Sequence, residues 1–210
     1  MGWFDFMRSP SGTSIETLSI PLFPLNTVLF PGGLQPLKIF EQRYLDMAAA
    51  CMKDNSPFGI CLIDKGGEVG RAAVPHGVGT LATITNWEME QLGILMITAQ
   101  GGRRFRIIDS HVGPGNLLQG NVELLPENPT VPLPQERERL LPLLQRIVGD
   151  LGPERIPEPH RYDDAEWVGY RITEVLPIQN LAKQKLLELD DPLARLEILE
   201  KYLSQRKLLG

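Results

Sequence analysis

The run PENPTVPLP at positions 126–134 carries four prolines in nine residues, and it divides the chain more sharply than any other feature. Proline holds φ at about −65° and has no N–H to donate, so such a run neither joins a sheet nor opens a helix early. Before it, apolar residues alternate or come in short blocks broken by Gly, Pro and Asn, which is the period of strands. After it, they recur every three or four residues, which is the period of helices. The expected organisation is an N-terminal tail (1–16), a β-rich subdomain (17–126), a proline-rich linker (127–134) and a helical subdomain (135–210), together an α+β fold.

Within the β-rich part, Leu18, Ile20 and Leu22 alternate, and further strands are expected over 27–30, 34–40, 58–63, 78–85, 93–99, 105–112 and 117–125. So many short strands separated by turns predict a barrel or sandwich. A single helix over 42–53 interrupts them, with Tyr44, Ala48 and Cys51 on one face beside Met47. Beyond the linker, a helix is expected over 135–148 with Pro142 kinking it. A second starts at Asp163, with Glu166 three residues on, and buries Trp167, Tyr170, Val175 and Leu176. A third covers 181–189. The last has Asp191 as cap, Pro192 as first residue and the stripe Leu193, Leu196, Leu199, Leu203.

Twenty-one basic against twenty-six acidic residues give a formal net charge of −5, which repels phosphate backbones and disfavours nucleic acid as a partner. No stretch has the make-up of a signal peptide or a membrane span, so a soluble, cytoplasmic protein with no membrane association is expected. Cys51 and Cys61 fit free thiols in a reducing compartment. No phosphate-binding G-x-x-x-x-G-K-[ST] motif occurs. Gly77–Ala82 matches G-x-G-x-x-A, but Thr80, Ala82 and Ile84 continue as a strand, where no helix N-terminus meets a pyrophosphate. His76, His111, His160 and the cysteines lack the separations of closed metal sites, and no serine lies in a G-x-S-x-G elbow. No cofactor, metal or catalytic group is therefore expected; a hydrolase would require the fold to bring Cys51 or Ser56 to a histidine.

Two segments have the chemistry of a contact surface. In Arg103-Arg104-Phe105-Arg106, strand parity places Arg104 and Arg106 on a solvated or ion-paired face and Phe105 in the core. In Asn86-Trp87-Glu88-Met89-Glu90-Gln91-Leu92, read as the connection between two strands, either Trp87 and Met89 form an apolar contact patch at a loop tip or Trp87 folds back over its own hairpin.

The most distinctive stretch is IPLFPLNTVLFPGGLQPLKIFEQRY at 20–44. After it come Val78-Gly79-Thr80-Leu81-Ala82, Gly101 with Arg104-Phe105-Arg106-Ile107, and KLLELDDPLARLEIL at 185–199. Taken in this order over about residues 18–203, the set resembles the N-terminal substrate-binding domain of the Lon protease and the short stand-alone bacterial proteins built on it. The resemblance implies a barrel-like, PUA-like sheet domain followed by a helical bundle. It also implies engagement of polypeptides, because in the full protease unfolding and cleavage belong to downstream ATPase and Ser-Lys domains. Lys38 stands where many stand-alone members have histidine, and Leu92-Gly93 replaces the usual Asp-Gly, which suggests an altered hairpin turn with Leu92 beside Trp87.

Within the signature, Pro36, Leu37, Phe40, Glu41, Arg43 and Tyr44 are assigned structural roles. Leu37 and Phe40 pack at a strand and its junction, and Glu41 sits at a helix start, where it can pair with Arg43. The expected function is a non-catalytic module that binds unfolded or extended polypeptides through Phe30, Pro31, Trp87, Met89, Leu92, Arg103 and Arg104. It would act as an adaptor in protein quality control, alongside a protease or chaperone. RNA or nucleotide binding on the PUA-like surface is the alternative.

Overall fold

The computed structural model describes residues 16–127 and 129–209, so the expected tail lies outside the described residues except for Glu16. Among them are six strands: β1 (Thr17–Leu25), β2 (Leu34–Ile39), β3 (Phe58–Lys65), β4 (Val74–Gln91), β5 (Ile94–Val112) and β6 (Leu118–Leu124). Helix α1 (Gln42–Asp54) follows β2; α2 (Leu141–Leu151), α3 (Ala165–Val175), α4 (Asn180–Glu188) and α5 (Pro192–Gln205) follow the sheet. No helix among the described residues is long and apolar enough to cross a membrane.

The strands form one sheet in the order β2-β5-β4-β3-β1-β6, and β6 pairs with β5 as well as β1. The ladder from β5 through β4, β3, β1 and β6 thus returns to β5. β1 and β3 run parallel, while the other pairs are antiparallel. Where the sequence suggests separate strands at 93–99 and 105–112, one strand runs through both. Gly101-Gly102 lies inside β5, at a register shift opposite Thr80 and Ala82.

Glycines make this crossing possible. Gly101 donates to the Gly33 carbonyl at 2.9 Å and accepts from Gly32 N–H at 2.8 Å, so the Phe30–Gly33 turn lies directly on β5. A Cβ on Gly101 would sit 2.2 Å from the Phe30 carbonyl oxygen. Residues 27–30, expected as a strand, are not one. Here bonds from outside any ladder hold the chain: Thr80 Oγ1 donates to the Leu29 carbonyl at 2.6 Å, Gly33 N–H to that of Phe30 at 2.9 Å, and Arg171 Nη2 to that of the following Pro31 at 2.7 Å.

Helix α1 buries Tyr44, Met47, Ala48 and Cys51, the face expected from its spacing, against Leu37, Ile39, Leu95 and Ile97 of the sheet. Tyr44 stacks on Phe23 with ring centroids 3.9 Å apart. On the other side of the strands, Phe105 is fully buried among Ile20, Leu22, Cys61, Leu118, Val122 and Leu124, as its parity predicts. Leu140, Leu144, Trp167, Val168, Ile172, Leu196, Leu199 and Leu203 form a separate core among the C-terminal helices.

Several helix boundaries differ from the sequence reading. The 135–148 helix begins as a 3₁₀ segment, Gln135–Leu140, and α2 starts only at Leu141. Pro142 therefore lies in the first turn of α2, where its missing N–H costs nothing, and not at a mid-helix kink. Asp164 rather than Asp163 caps α3, accepting from Glu166 N–H at 3.0 Å. The proline-rich segment is not free of pairing either. Pro132 forms an isolated bridge with Asp164, flanked by bonds from Leu133 N–H to Asp163 and from Ala165 N–H to Val131. At α5 the cap is as expected: Asp191 accepts from Leu193 and Ala194 N–H, and Pro192 opens the helix. Leu193 itself is exposed, and Arg195 is buried on that helix instead.

Sheet and helices meet at a small cluster of Val28, Phe30, Leu62, Tyr170 and Leu187. Phe30 is fully buried there, with its ring 5.5 Å from that of Tyr170. Around it, guanidiniums collect the carbonyls that the end of α4 leaves without helical partners. Arg104 Nη1 donates to Leu187 O at 2.8 Å, and Arg195 Nε to Leu186 O at 2.9 Å. Arg195 also donates to Leu189 O and stacks 4.2 Å over the Tyr170 ring.

Candidate functional site

The residues singled out in the sequence fall at two separate places. Trp87, Met89 and Leu92 belong to the projecting end of the β4–β5 hairpin; Pro31, Arg103 and Arg104 line a cleft between the sheet and α3.

Trp87 is not in a connecting loop. The β4 ladder continues to Gln91, which pairs with Ile94, leaving only Leu92 and Gly93 as the turn. Gly93 takes φ +83°, a value that glycine adopts without strain. Opposed residues of an antiparallel pair share a face, so Trp87 opposite Ile97 and Met89 opposite Leu95 point to the side covered by α1. Ile97 and Leu95 are buried by that helix, but the hairpin runs past it, and Trp87 and Met89 remain 56% and 54% exposed. Leu92, at the turn, is fully exposed.

The result is a groove of about 440 Å³ lined by Leu45, Asp46, Ala49 and Met52 of α1 and by Trp87, Met89, Gly93 and Leu95 of the hairpin. Its surface is almost wholly apolar. Trp87 and Met89, two large side chains left this wet on one strand face, form an apolar surface of the kind that marks contact sites. Of the residues named from the sequence, Trp87 and Met89 line this groove and Leu92 lies at the adjoining turn; α1's contribution of Leu45, Ala49 and Met52 was not foreseen. Those residues lie at the margin of the face that packs on the sheet.

The second cleft, about 350 Å³, brings Pro31, Arg103 and Arg104 together with Leu125, Trp167 and Tyr170. Its arginines are already engaged. Arg103 donates to Glu16 at 2.7 Å and to the Leu125 carbonyl at 3.3 Å. Arg104 was expected to share a solvated or ion-paired face with Arg106. It is ion-paired, to Asp190 at 3.0 Å, but buried beneath the α4–α5 connection, while Arg106 is exposed. The burial follows from the helices covering that face of β5, which strand parity does not register. Phe30 was expected at the binding surface, but it lies inside the sheet–helix core, where it cannot touch a ligand without the two layers parting.

The 34–44 signature is mostly structural, with one exception. Arg43 is buried over the Tyr44 ring at 4.5 Å, pairs with Glu41 at 3.2 Å and donates to the carbonyls of Asn116 and Glu68. Glu41 also accepts from Gly70 N–H at 3.3 Å, so the pair ties the start of α1 to two loops. Leu37 is buried, and Pro36 is exposed on β2, which has a single strand partner among the described residues. The exception is Phe40, which is 55% exposed rather than packed at the strand end. It follows the last residue of β2, where the alternation that buries Leu37 and Ile39 directs it outward.

Catalytic and nucleotide-binding arrangements find little support in the geometry. Gly77–Ala82 lies inside β4, as its sequence context predicts. Burial pushes the Cys61 thiol far up from its ordinary pKa, and that of Cys51 up as well, so neither is a ready thiolate. Ser56 N–H donates to the Cys51 carbonyl at 3.0 Å, at the end of α1. His76 lies 4.0 Å from Asp64, and His160 packs against Tyr162 and Trp167. No group of three or more potential metal ligands occurs among the described residues.

Comparison with known proteins gives consistent likenesses. A Lon N-terminal domain protein from Xanthomonas campestris is similar in structure, with a TM-score of 0.74 and 35% sequence identity over 88% of this chain and 98% of that one. The N-terminal domain of the Mycobacterium avium complex Lon protease has a TM-score of 0.63 at 22% identity, covering 89% and 98%, a likeness of fold alone. Lon protease 1 of Bdellovibrio bacteriovorus is 30% identical over 135 residues, which is 63% of this chain but 17% of that protein. The family of the ATP-dependent protease La (LON) substrate-binding domain matches residues 19–205, and with nearly the whole described chain inside that match, the protein belongs to this family.

Proposed function

We propose that this chain is a non-catalytic polypeptide-binding module that captures extended apolar segments in the groove between α1 and the β4–β5 hairpin. The observation that carries the reading is the half-exposed pair Trp87 and Met89, held by a regular ladder above an apolar floor. A rigid strand presents these side chains without the entropy cost of ordering a loop, so contact area converts to affinity with little loss. Membership of a substrate-binding family supports polypeptide as the ligand class, and the sequence contains no ATP-binding loop with which to drive unfolding. We take the closed ladder as the PUA-like pseudobarrel implied by the resemblance, residues 135–210 as a helical subdomain, and an adaptor role in cytoplasmic protein quality control as the setting.

Titration of a dye-labelled unfolded client tests the site. Trp87→Ala is expected to weaken binding by at least about tenfold. The melting temperature should barely move, because Trp87 fills no core. Wild-type affinity should change by less than about twofold between roughly 50 and 200 mM salt, since apolar burial rather than phosphate-like pairing drives it. A Trp87→Ala protein that binds the client as tightly as wild type removes the groove from consideration.

A further inference from the structure

We infer that Asp46 makes the groove selective for apolar segments that carry a lysine or arginine next to the apolar run, and that it rejects those carrying an acid there. This rests on the groove being the polypeptide site. Among the residues lining the groove, Asp46 is the one with an ionisable side chain; the others are Leu45, Ala49, Met52, Trp87, Met89, Gly93 and Leu95. Asp46 is exposed on α1, and its Oδ1 accepts from Gln42 Nε2, one turn earlier, at 2.7 Å. That bond orients the carboxylate without neutralising it. Among the described residues, no lysine or arginine lies within ion-pair distance.

A carboxylate beside apolar walls is screened less than one surrounded by water, so its field reaches further into the groove. A basic side chain matches this geometry in two ways. Its aliphatic stem can lie along Ala49 and Met52 while the charged head reaches Asp46, and a guanidinium can also lie over the face of Trp87. An acidic side chain at the same place meets like charge and loses its hydration against apolar surface. The molecule's net charge of −5 favours basic segments at long range as well, and that contribution is not specific to the site. The test must therefore separate the two.

Three peptides with one apolar core, differing only by Arg, Gln or Glu beside it, are titrated into the full chain. Wild type should bind the Arg peptide about fivefold more tightly than the Glu peptide, as expected for a lightly screened charge pair. Asp46→Asn should reduce this ratio, taken within the variant's own three peptides, to less than about twofold, and Asp46→Lys should reverse the order. Both variants sit at an exposed helical position, and their melting temperatures confirm that the fold is retained. An undiminished Arg preference in Asp46→Asn overturns the assignment to this residue. Equal wild-type affinity for all three overturns the selectivity but not the groove, whereas no binding of any peptide overturns both.

Discussion

Phe105→Ala is expected to destabilise the protein by about 3–5 kcal/mol, because it removes a fully buried ring from a site that has little freedom to collapse. The ring is bounded by Ile20, Leu22, Val122 and Leu124 and fits over two glycines. A Cβ on Gly59 or Gly79 would approach its Cζ to 2.7 Å and 2.6 Å. Those glycines leave room for the aromatic ring, so deleting the ring leaves a void bordered by backbone. For a chain of this length the loss corresponds to a drop in melting temperature on the order of 10 °C. Urea unfolding with an unchanged m-value would attribute the loss to stability, and a loss below about 1 kcal/mol would mean that the core does close over the gap.

Gly101→Ala is expected to be the next most damaging, at about 1–3 kcal/mol or more, for the opposite reason. Its new methyl group would press on the Phe30 carbonyl, a backbone atom, rather than on the tip of a movable side chain. The turn cannot easily retreat. The carbonyls on either side of Phe30 are held by Thr80 and Arg171, and the Phe30 ring is locked against Tyr170. Gly149→Ala in α2, where an added Cβ meets nothing within 4 Å, is the control. It should stabilise by up to about 1 kcal/mol, through helix propensity alone. Thermal unfolding of both variants tests the contrast, and similar small shifts would show that the turn adapts.

What could be read from the residues was whatever local chemistry controls. The face of α1, the Asp191-Pro192 start of α5 and the inward side of Phe105 follow from spacing and capping, and the structure has all three. The failures occur where a distant element decides. Residues 27–30 look like a strand because they are apolar, yet Thr80 takes the Leu29 carbonyl and Arg171 that of the adjoining Pro31, both from outside any ladder. Strand parity opposes Arg104 to Phe105 and so expects it solvated or ion-paired; the ion pair with Asp190 is present, but the α4–α5 connection lies over it and buries it. Trp87 was misplaced for a different reason. Trp87-Glu88-Met89 is itself an alternation, with exposed Glu88 on the face opposite Trp87 and Met89, in a strand that outruns its helix rather than in a connection between strands.

The central claim, that clients are held at the α1–hairpin groove, is tested most directly by where a bound client touches the protein. A photoreactive phenylalanine analogue placed at Leu92, in the hairpin turn next to the groove-lining Gly93, is compared with one at Ile108, exposed near the opposite end of β5. Both positions are solvent-facing, so neither substitution disturbs the core. Irradiation with a dye-labelled unfolded client should give adducts from position 92 and little above background from position 108. Equal yields from the two positions, or adducts from 108 alone, would contradict the account.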